Sequence, residues 1–162
     1  ARGEIDLPDS VLERLDIAIA SIHMPCFKDE RTIDNVTAAY EKVMEHPYVD
    51  IIGHPDDGRF PVDMKRLVKK AKETGTLLEV NNSSLRPEGF RENTKENCLE
   101  MVKECKAQGV MIVLGSDSHV DADIAEYPYA EEILRETDFP EELVANVSLE
   151  KLKACIKHGK KL

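Results

Sequence analysis

A chain of 162 residues, 41% hydrophobic and 33% charged, is long enough to bury one substantial core and has the composition of a globular protein. Its formal net charge of −10 repels the phosphate backbone of nucleic acids at long range, which disfavours a non-specific nucleic-acid-binding protein. The sequence has no run of about 18 apolar residues, so it predicts no membrane-spanning helix.

Apolar runs and amphipathic segments alternate along the chain. The apolar runs predict strands over residues 16–22, 49–53, 76–80 and 110–114, and a weaker fifth strand over residues 143–147. The amphipathic segments predict helices over residues 32–46, from the N-cap Asp63 to residue 74, over residues 93–108 and 128–136, and a final helix capped by Ser148. Strands and helices that alternate at a period of about 30 residues indicate βαβ units and an α/β fold around a parallel sheet. Because the strands are continuous apolar runs, we expect this sheet to be buried on both faces.

The four cysteines show neither C-x-x-C spacing nor a dense disulfide framework. Reduced thiols in a cytoplasmic protein are therefore expected. Cys98 and Cys105 share the apolar face of a predicted helix, which indicates core positions. Cys26 lies close to His23 and is a weak candidate for a ligand or nucleophile, since no activating partner stands near it in the sequence.

Polar side chains follow directly on three of the predicted strands. His23 follows the first strand, His54 the second, and Asp117 and His119 the fourth. Because neighbouring parallel strands lie about 4.8 Å apart, we expect these four side chains to meet at the carboxyl-terminal rim of the sheet. A single histidine in such a place is more often a structural residue, but three histidines and an aspartate at matching strand ends favour a site for Zn²⁺ or a similar divalent ion.

The third strand also ends in polar residues. Glu79 lies inside this strand, and we expect it to point inward and hold Asn or His side chains of the site from behind. Asn81 and Asn82 follow the strand and are predicted to support the metal ligands in the same indirect way. The alternative is that these asparagines form Asx-type turns and cap the next segment, which is common at a strand end.

Four segments carry a resemblance to a known family. DIAIASIH (residues 16–23), DIIGHPDDG (50–58), LLEVNNSSL (77–85) and VLGSDSHV (113–120) resemble, in this order and spacing, the PHP superfamily, named for polymerase and histidinol phosphatase. The stretch NNSS and the later ENC are most similar to its small stand-alone phosphatases, which have a three-zinc site. The resemblance covers nearly the whole chain. It implies a distorted seven-stranded (β/α) barrel, similar to a TIM barrel, and metal-dependent hydrolysis of phosphoester bonds.

The resemblance also implies roles for individual residues. His23 and His54 would share one metal ion, Asp117 would hold a second and His119 a third, so that Asp117 and His119 are the candidate catalytic residues. Zinc is the first candidate for the metal, with Mn, Fe or Mg as alternatives. Metal ions in such a site lower the pKa of a bound water, and a histidine can protonate the leaving group.

The sequence departs from the family pattern in one large respect. The family's first motif, H-x-H-T, and the histidine and bridging glutamate that follow it are absent. Residues 1–162 therefore resemble the C-terminal half to two-thirds of a PHP domain. We expect this fragment to be inactive by itself, with open sheet edges that a missing N-terminal segment or another copy of the chain would cover.

Arg59 and Arg86, in the loops after the second and third strands, are candidates for contacting the phosphate of a small phosphorylated substrate. The alternative for each is that it is an ordinary surface arginine without such a role. Two other functions remain open. One is a PHP exonuclease or polymerase-associated module, which the acidic charge disfavours. The other is a non-catalytic metal-binding interaction module.

Overall fold

The computed structural model describes residues 3–157, and its centre is a four-stranded, all-parallel sheet. The strands are β1 (Ile19–Ala20), β2 (Ile51–Ile52), β3 (Leu77–Asn81) and β4 (Ile112–Gly115). They lie side by side in chain order, β1-β2-β3-β4, as successive βαβ units require. The predicted α/β fold with a parallel sheet is confirmed at this level.

Helices connect the strands and flank the sheet. They are α1 (Asp9–Leu12), α2 (Ile33–Met44), α3 (Met64–Thr74), α4 (Thr94–Gln108), α5 (Pro128–Glu136) and α6 (Leu149–Cys155). The side chains of Thr32, Asp63 and Ser148 cap α2, α3 and α6 by accepting a backbone N–H three residues on. Gly75 and Gly109 end α3 and α4 with φ of 68°, a left-handed conformation that glycine adopts without strain. None of the helices between residues 3 and 157 has both the length and the apolar character needed to cross a membrane.

The sheet is covered on both faces, as the apolar strands predicted. Ile52, Leu78 and Ile112 pack into the main core with helices α2 to α5. Ile51 and Leu77, which point to the opposite face, belong to a smaller cluster that α6 covers. The buried Cys98 and Cys105 lie in the main core, which confirms their prediction as packing residues.

The predicted strand over residues 143–147 is wrong. This segment forms two short 3₁₀ turns, Glu141–Leu143 and Ala145–Val147, and touches the sheet through one parallel bridge between Val144 and Ile112. The amide of Asn146 accepts a hydrogen bond from Leu114 N at 3.0 Å and donates one to Leu114 O at 2.9 Å. The side chain of Asn146 thus makes the hydrogen bonds to Leu114 that the backbone of a fifth strand would have made.

The other edge of the sheet is open among the described residues. Ile19 on β1 is 59% exposed, and a groove of about 700 Å³ runs between β1, the segment before it and α2. Most of its lining is apolar, but His23 and Cys26 lie at its margin. The expectation that another segment or a second copy covers this edge stays a prediction.

Candidate functional site

His23, His54, Asp117 and His119 all lie just beyond the carboxyl-terminal ends of β1, β2 and β4, on one rim of the sheet. The imidazole rings of His23 and His54 are in edge contact, with centroids 4.9 Å apart and planes at 78°. The Oγ of Ser21 lies 2.9 Å from His23 Nε2. The rim therefore presents two adjacent imidazoles from neighbouring strands.

His54 is buried, and its backbone is in an unusual conformation. Its φ is 33°, and Nδ1 has no hydrogen-bond partner among the described residues. Burial, reinforced by the positive charge of Arg91 and by His23, lowers the pKa of His54 to about 4. The ring is thus neutral near pH 7 and keeps a nitrogen lone pair, which is the form that binds a metal ion.

Asp117 and His119 share the turn after β4. Asp117 has φ of 48°, a conformation that Asp tolerates better than most residues, and its Oδ2 accepts a hydrogen bond from Arg91 Nη2 at 3.1 Å. His119 is exposed, and its Nδ1 lies 2.9 Å from the backbone oxygen of Asp117. Because a carbonyl oxygen only accepts, Nδ1 is the donor, and in the neutral ring the lone pair is on Nε2.

Glu79 of β3 lies behind the rim, between Gly53 after β2 on one side and Gly115 at the end of β4 on the other. A Cβ at position 115 would overlap the Glu79 carboxylate, and Gly53 lies against its other oxygen. Oε2 accepts hydrogen bonds from His54 N at 2.7 Å and from Asn81 Nδ2 at 3.1 Å. The expectation that Glu79 holds an Asn side chain is confirmed, whereas its contact with His54 is to the backbone and not to the ring. Burial raises the pKa of Glu79.

The two asparagines after β3 have different contacts. Asn81 Oδ1 accepts from Ser84 N at 2.8 Å, which forms an Asx-type turn, while its amide reaches Glu79. Asn82 Oδ1 accepts from the N–H groups of Tyr129 and Ala130, at 2.9 and 3.1 Å, and so caps the first turn of α5. Asn82 thus caps a helix that is distant in the chain and not the next segment, and its support of a metal ligand stays a prediction.

Arg91 is a site residue that the sequence did not reveal. Its side chain is only 7% exposed, and its guanidinium contacts Ser84 Oγ at 3.0 Å, Asn81 Oδ1 at 3.4 Å and Asp117 Oδ2 at 3.1 Å. It stands in the segment FRENTKEN, whose mixed charges are typical of a solvated surface. No local pattern distinguishes this arginine from its exposed neighbours.

Asp56 was also missed. It is 1% exposed, and neither carboxylate oxygen makes a hydrogen bond of normal geometry to the described residues. Burial raises its pKa to about 7, although Arg91 and the hydroxyl of Ser84 lie close enough to oppose part of this rise. Two consecutive acids directly after His54-Pro55 were a usable signal in the sequence.

Arg59 and Arg86 are both bound to carboxylates. Arg59 Nε donates to Asp57 Oδ1 at 2.9 Å, and its guanidinium lies 4.8 Å from the ring centroid of Phe90. Arg86 Nη2 donates to Asp123 Oδ2 at 2.7 Å. Arg86, Phe90 and Arg91 line a cleft of about 280 Å³. Contact of Arg59 or Arg86 with a substrate phosphate stays a prediction.

Among the candidate site residues, the His23 and His54 side chains have the spacing that best suits a divalent metal ion. Two imidazole rings on one tetrahedral zinc, with Zn–N distances of about 2.0–2.1 Å, have centroids about 5 Å apart, and the His23–His54 pair has this spacing. The unpaired buried nitrogen of His54 fits the same use. Within residues 3–157, however, no three His, Cys, Asp or Glu side chains are grouped to hold one ion. Binding of a metal ion by this pair stays a prediction.

Comparison with known proteins relates nearly the whole chain to proteins named as phosphatases. No protein-family model matches it. The chain is 46% identical over 161 residues to a probable phosphatase of Clostridium novyi, covering 99% of this chain and 65% of that protein. It is 42% identical over 158 residues to a probable phosphatase of Acetivibrio thermocellus, and 38% identical over 159 residues to one of Thermoanaerobacter pseudethanolicus, covering in each case 98% of this chain and 64% of the relative. The chain thus spans just under two-thirds of the length of these relatives.

Proposed function

We propose that this chain is part of a metal-dependent phosphatase of the PHP superfamily that acts on a small phosphorylated substrate. The observation that carries the proposal is the pair of adjacent imidazoles, His23 and His54, at the carboxyl ends of neighbouring parallel strands, 4.9 Å apart. The 38–46% identity to proteins named probable phosphatases supports the reaction class.

In this proposal His23 and His54 are ligands of one divalent cation, for which zinc is the first candidate and Mn, Fe or Mg are alternatives. Imidazole nitrogen favours zinc over Mg among these ions. Asp117 and His119 are ligands of further cations on the same rim. Glu79 fixes the backbone of His54 through a 2.7 Å hydrogen bond and thereby supports the orientation of that ring.

The four parallel strands are proposed to be part of a distorted seven-stranded (β/α) barrel. Their arrangement in chain order supports this, because strands of such a barrel follow one another around its circumference. The location of the candidate residues at the carboxyl ends of the strands also supports it, since active sites of (β/α) barrels are built there.

Metal ions bound here would lower the pKa of a water molecule towards neutrality and offset charge on the phosphoryl oxygens. The chain's own residues have the remaining tasks. His54 stays neutral because it is buried, so it offers a nitrogen lone pair at neutral pH. His119 is anchored through Nδ1 to its own turn and is exposed on the rim, so its Nε2 offers a lone pair to a metal ion.

The test is hydrolysis of p-nitrophenyl phosphate with added Zn²⁺ or Mn²⁺. Two samples are compared, the 162-residue chain and the product of the complete reading frame that encodes it. We expect metal-dependent hydrolysis by the latter and little or none by the chain alone. His54→Ala should abolish hydrolysis, while Arg66→Gln, on α3 and paired with Asp34 and Glu41, serves as the matched control.

Failure of chelators to reduce hydrolysis would contradict the proposal, as would full activity of His54→Ala. Metal binding without hydrolysis of any phosphoester in either sample would favour the non-catalytic interaction module. Equal activity per molecule in the two samples would show that the 162-residue chain needs no further segment.

A further inference from the structure

Arg91 connects three loops at the rim of the sheet. Its guanidinium bonds to Asn81 at the end of β3, to Ser84 after β3 and to Asp117 after β4. Its Nε lies 3.9 Å from Asp57 Oδ2 in the loop after β2. The side chain is 7% exposed, so these contacts are made largely away from water. A buried charge of this kind is stable only when its surroundings are complementary.

The surroundings of Arg91 are strongly acidic. Asp57 and Asp117 are within ion-pair distance of it, and it interacts electrostatically with the buried Asp56 and Glu79. It also interacts with the imidazole of His54. One guanidinium is therefore placed among four carboxylates and beside a histidine, so a positive charge is favoured at this point of the rim.

We infer that Arg91 is an internal counter-cation that binds Asp117 when no metal is present, and that a divalent metal and the Arg91 guanidinium compete for the Asp117 carboxylate. The inference rests on the proposed function in one respect, the assignment of Asp117 as a metal ligand. Arg91 then has two effects. It keeps the acidic loops together in the metal-free protein, and it weakens metal binding because it must first be displaced.

The competing explanation is that Arg91 orients Asp117 for the metal. Carboxylate ligands are commonly hydrogen-bonded through their second oxygen, and loss of such a partner weakens metal binding. The two explanations predict opposite changes in metal affinity when the guanidinium is removed. The sign of this change is therefore the decisive quantity.

The experiment measures the melting temperature of the 162-residue chain as a function of added Zn²⁺, and separately Mn²⁺, for the wild type and Arg91→Gln. Without metal we expect Arg91→Gln to melt at a lower temperature, because Asp117 loses its ion-pair partner and the buried Asp56 and Glu79 lose a nearby positive charge. With metal we expect a larger rise in melting temperature than in the wild type, and an apparent Kd several-fold lower, since ligand binding to the native state stabilises it.

Three variants control the result. Arg91→Lys keeps the charge and should respond to metal nearly as the wild type does. Arg66→Gln removes an arginine that pairs with Asp34 and Glu41 of α2 and with none of the candidate site residues, and should leave the metal response unchanged. Adding Asp117→Asn to Arg91→Gln should remove the gain in affinity, because the carboxylate for which metal and guanidinium compete is gone.

A metal response of Arg91→Gln that is equal to or smaller than that of the wild type overturns the inference, and this includes the case in which neither protein responds. If Arg91→Gln is unfolded without metal, recovery of the folded state on adding Zn²⁺ supports the inference and no recovery overturns it. A wild-type metal response without any gain in Arg91→Gln would leave the proposed phosphatase intact, since its own test is hydrolysis.

Discussion

Buried aspartates lie at both ends of the parallel sheet, and their surroundings differ. Asp50, fully buried at the amino end of β2, accepts hydrogen bonds from Ala18 N at 2.9 Å through Oδ2 and from Lys157 N at 2.7 Å through Oδ1. Asp56, 1% exposed in the loop after the carboxyl end of β2, has no hydrogen bond of normal geometry to the described residues through either oxygen. The carboxylate of Asp50 therefore has hydrogen-bond donors for both oxygens, whereas that of Asp56 has none of normal geometry among the described residues.

This difference separates a stabilising end of the sheet from the end that carries the candidate functional site, called the functional end below. Asp50 ties the residues before β1 to the segment after α6, where Lys157 Nζ also donates to Met44 O at 2.8 Å. The carboxyl end instead collects carboxylates, a neutral buried histidine and two residues, His54 and Asp117, with left-handed backbone. Unfavourable features of this kind concentrate at functional sites and are maintained by the rest of the fold.

The largest expected effect is at the stabilising end. Asp50→Ala leaves one buried and one partly buried backbone N–H group without an acceptor. It should lower the free energy of unfolding by about 3–5 kcal/mol, since a hydrogen bond to a charged group contributes about 1.5–3 kcal/mol. Urea denaturation measures the loss. Asp34→Ala is the matched control, because Asp34 is 88% exposed and pairs with Arg66 on the surface. A loss of less than about 1 kcal/mol for Asp50→Ala would remove the contrast between the two ends.

The second effect concerns the pH dependence of stability at the functional end. Asp56 has a pKa of about 7 in the folded protein, raised by burial from its ordinary value near 4. Between about pH 4 and pH 7 the native state therefore binds more protons than the unfolded state, and the free energy of unfolding falls as pH rises through this window.

Asp56→Asn should remove this fall. In metal-free buffer we expect the variant to match the wild type near pH 4 and to exceed its free energy of unfolding by about 4 kcal/mol at pH 8. Urea denaturation across this pH range gives the difference curve, with Asp50→Asn as a comparison from the opposite end. Parallel pH curves for the wild type and Asp56→Asn would show that folding does not raise the pKa of Asp56.

The smallest expected effect concerns Asn82, which lies at the carboxyl end of the sheet but stabilises the fold by capping α5. Asn82→Ala removes the acceptor of two N–H groups at the start of α5 and should cost about 1–2 kcal/mol, as loss of a helix cap does. Asn82→Asp should recover the stability, since it keeps an oxygen and adds negative charge at a helix N-terminus. The metal-induced rise in melting temperature should not change. A reduced rise in Asn82→Ala would instead support the predicted indirect role of Asn82 in metal binding.

The sequence by itself determined helices α2 to α6, the four strands and the rim on which His23, His54, Asp117 and His119 lie. Helix ends are recognisable because their hydrogen bonds are local, as where Asp63 accepts from a backbone N–H three residues later and Gly75 relieves the left-handed turn at the end of α3. The shared rim follows from parallel strands, whose carboxyl ends lie at one edge.

Only the tertiary structure decided which polar groups are buried together. Arg91 lies in a charged segment that is typical of a surface, yet three loops close around its guanidinium. Residues 143–147 have the apolar character of a strand, but the amide of Asn146 takes the hydrogen bonds of Leu114. The residues that Arg91 and Asn146 contact lie between 7 and 34 residues away from them in the chain. Local propensity has no information about such contacts, because they exist only after the sheet has brought its loops together.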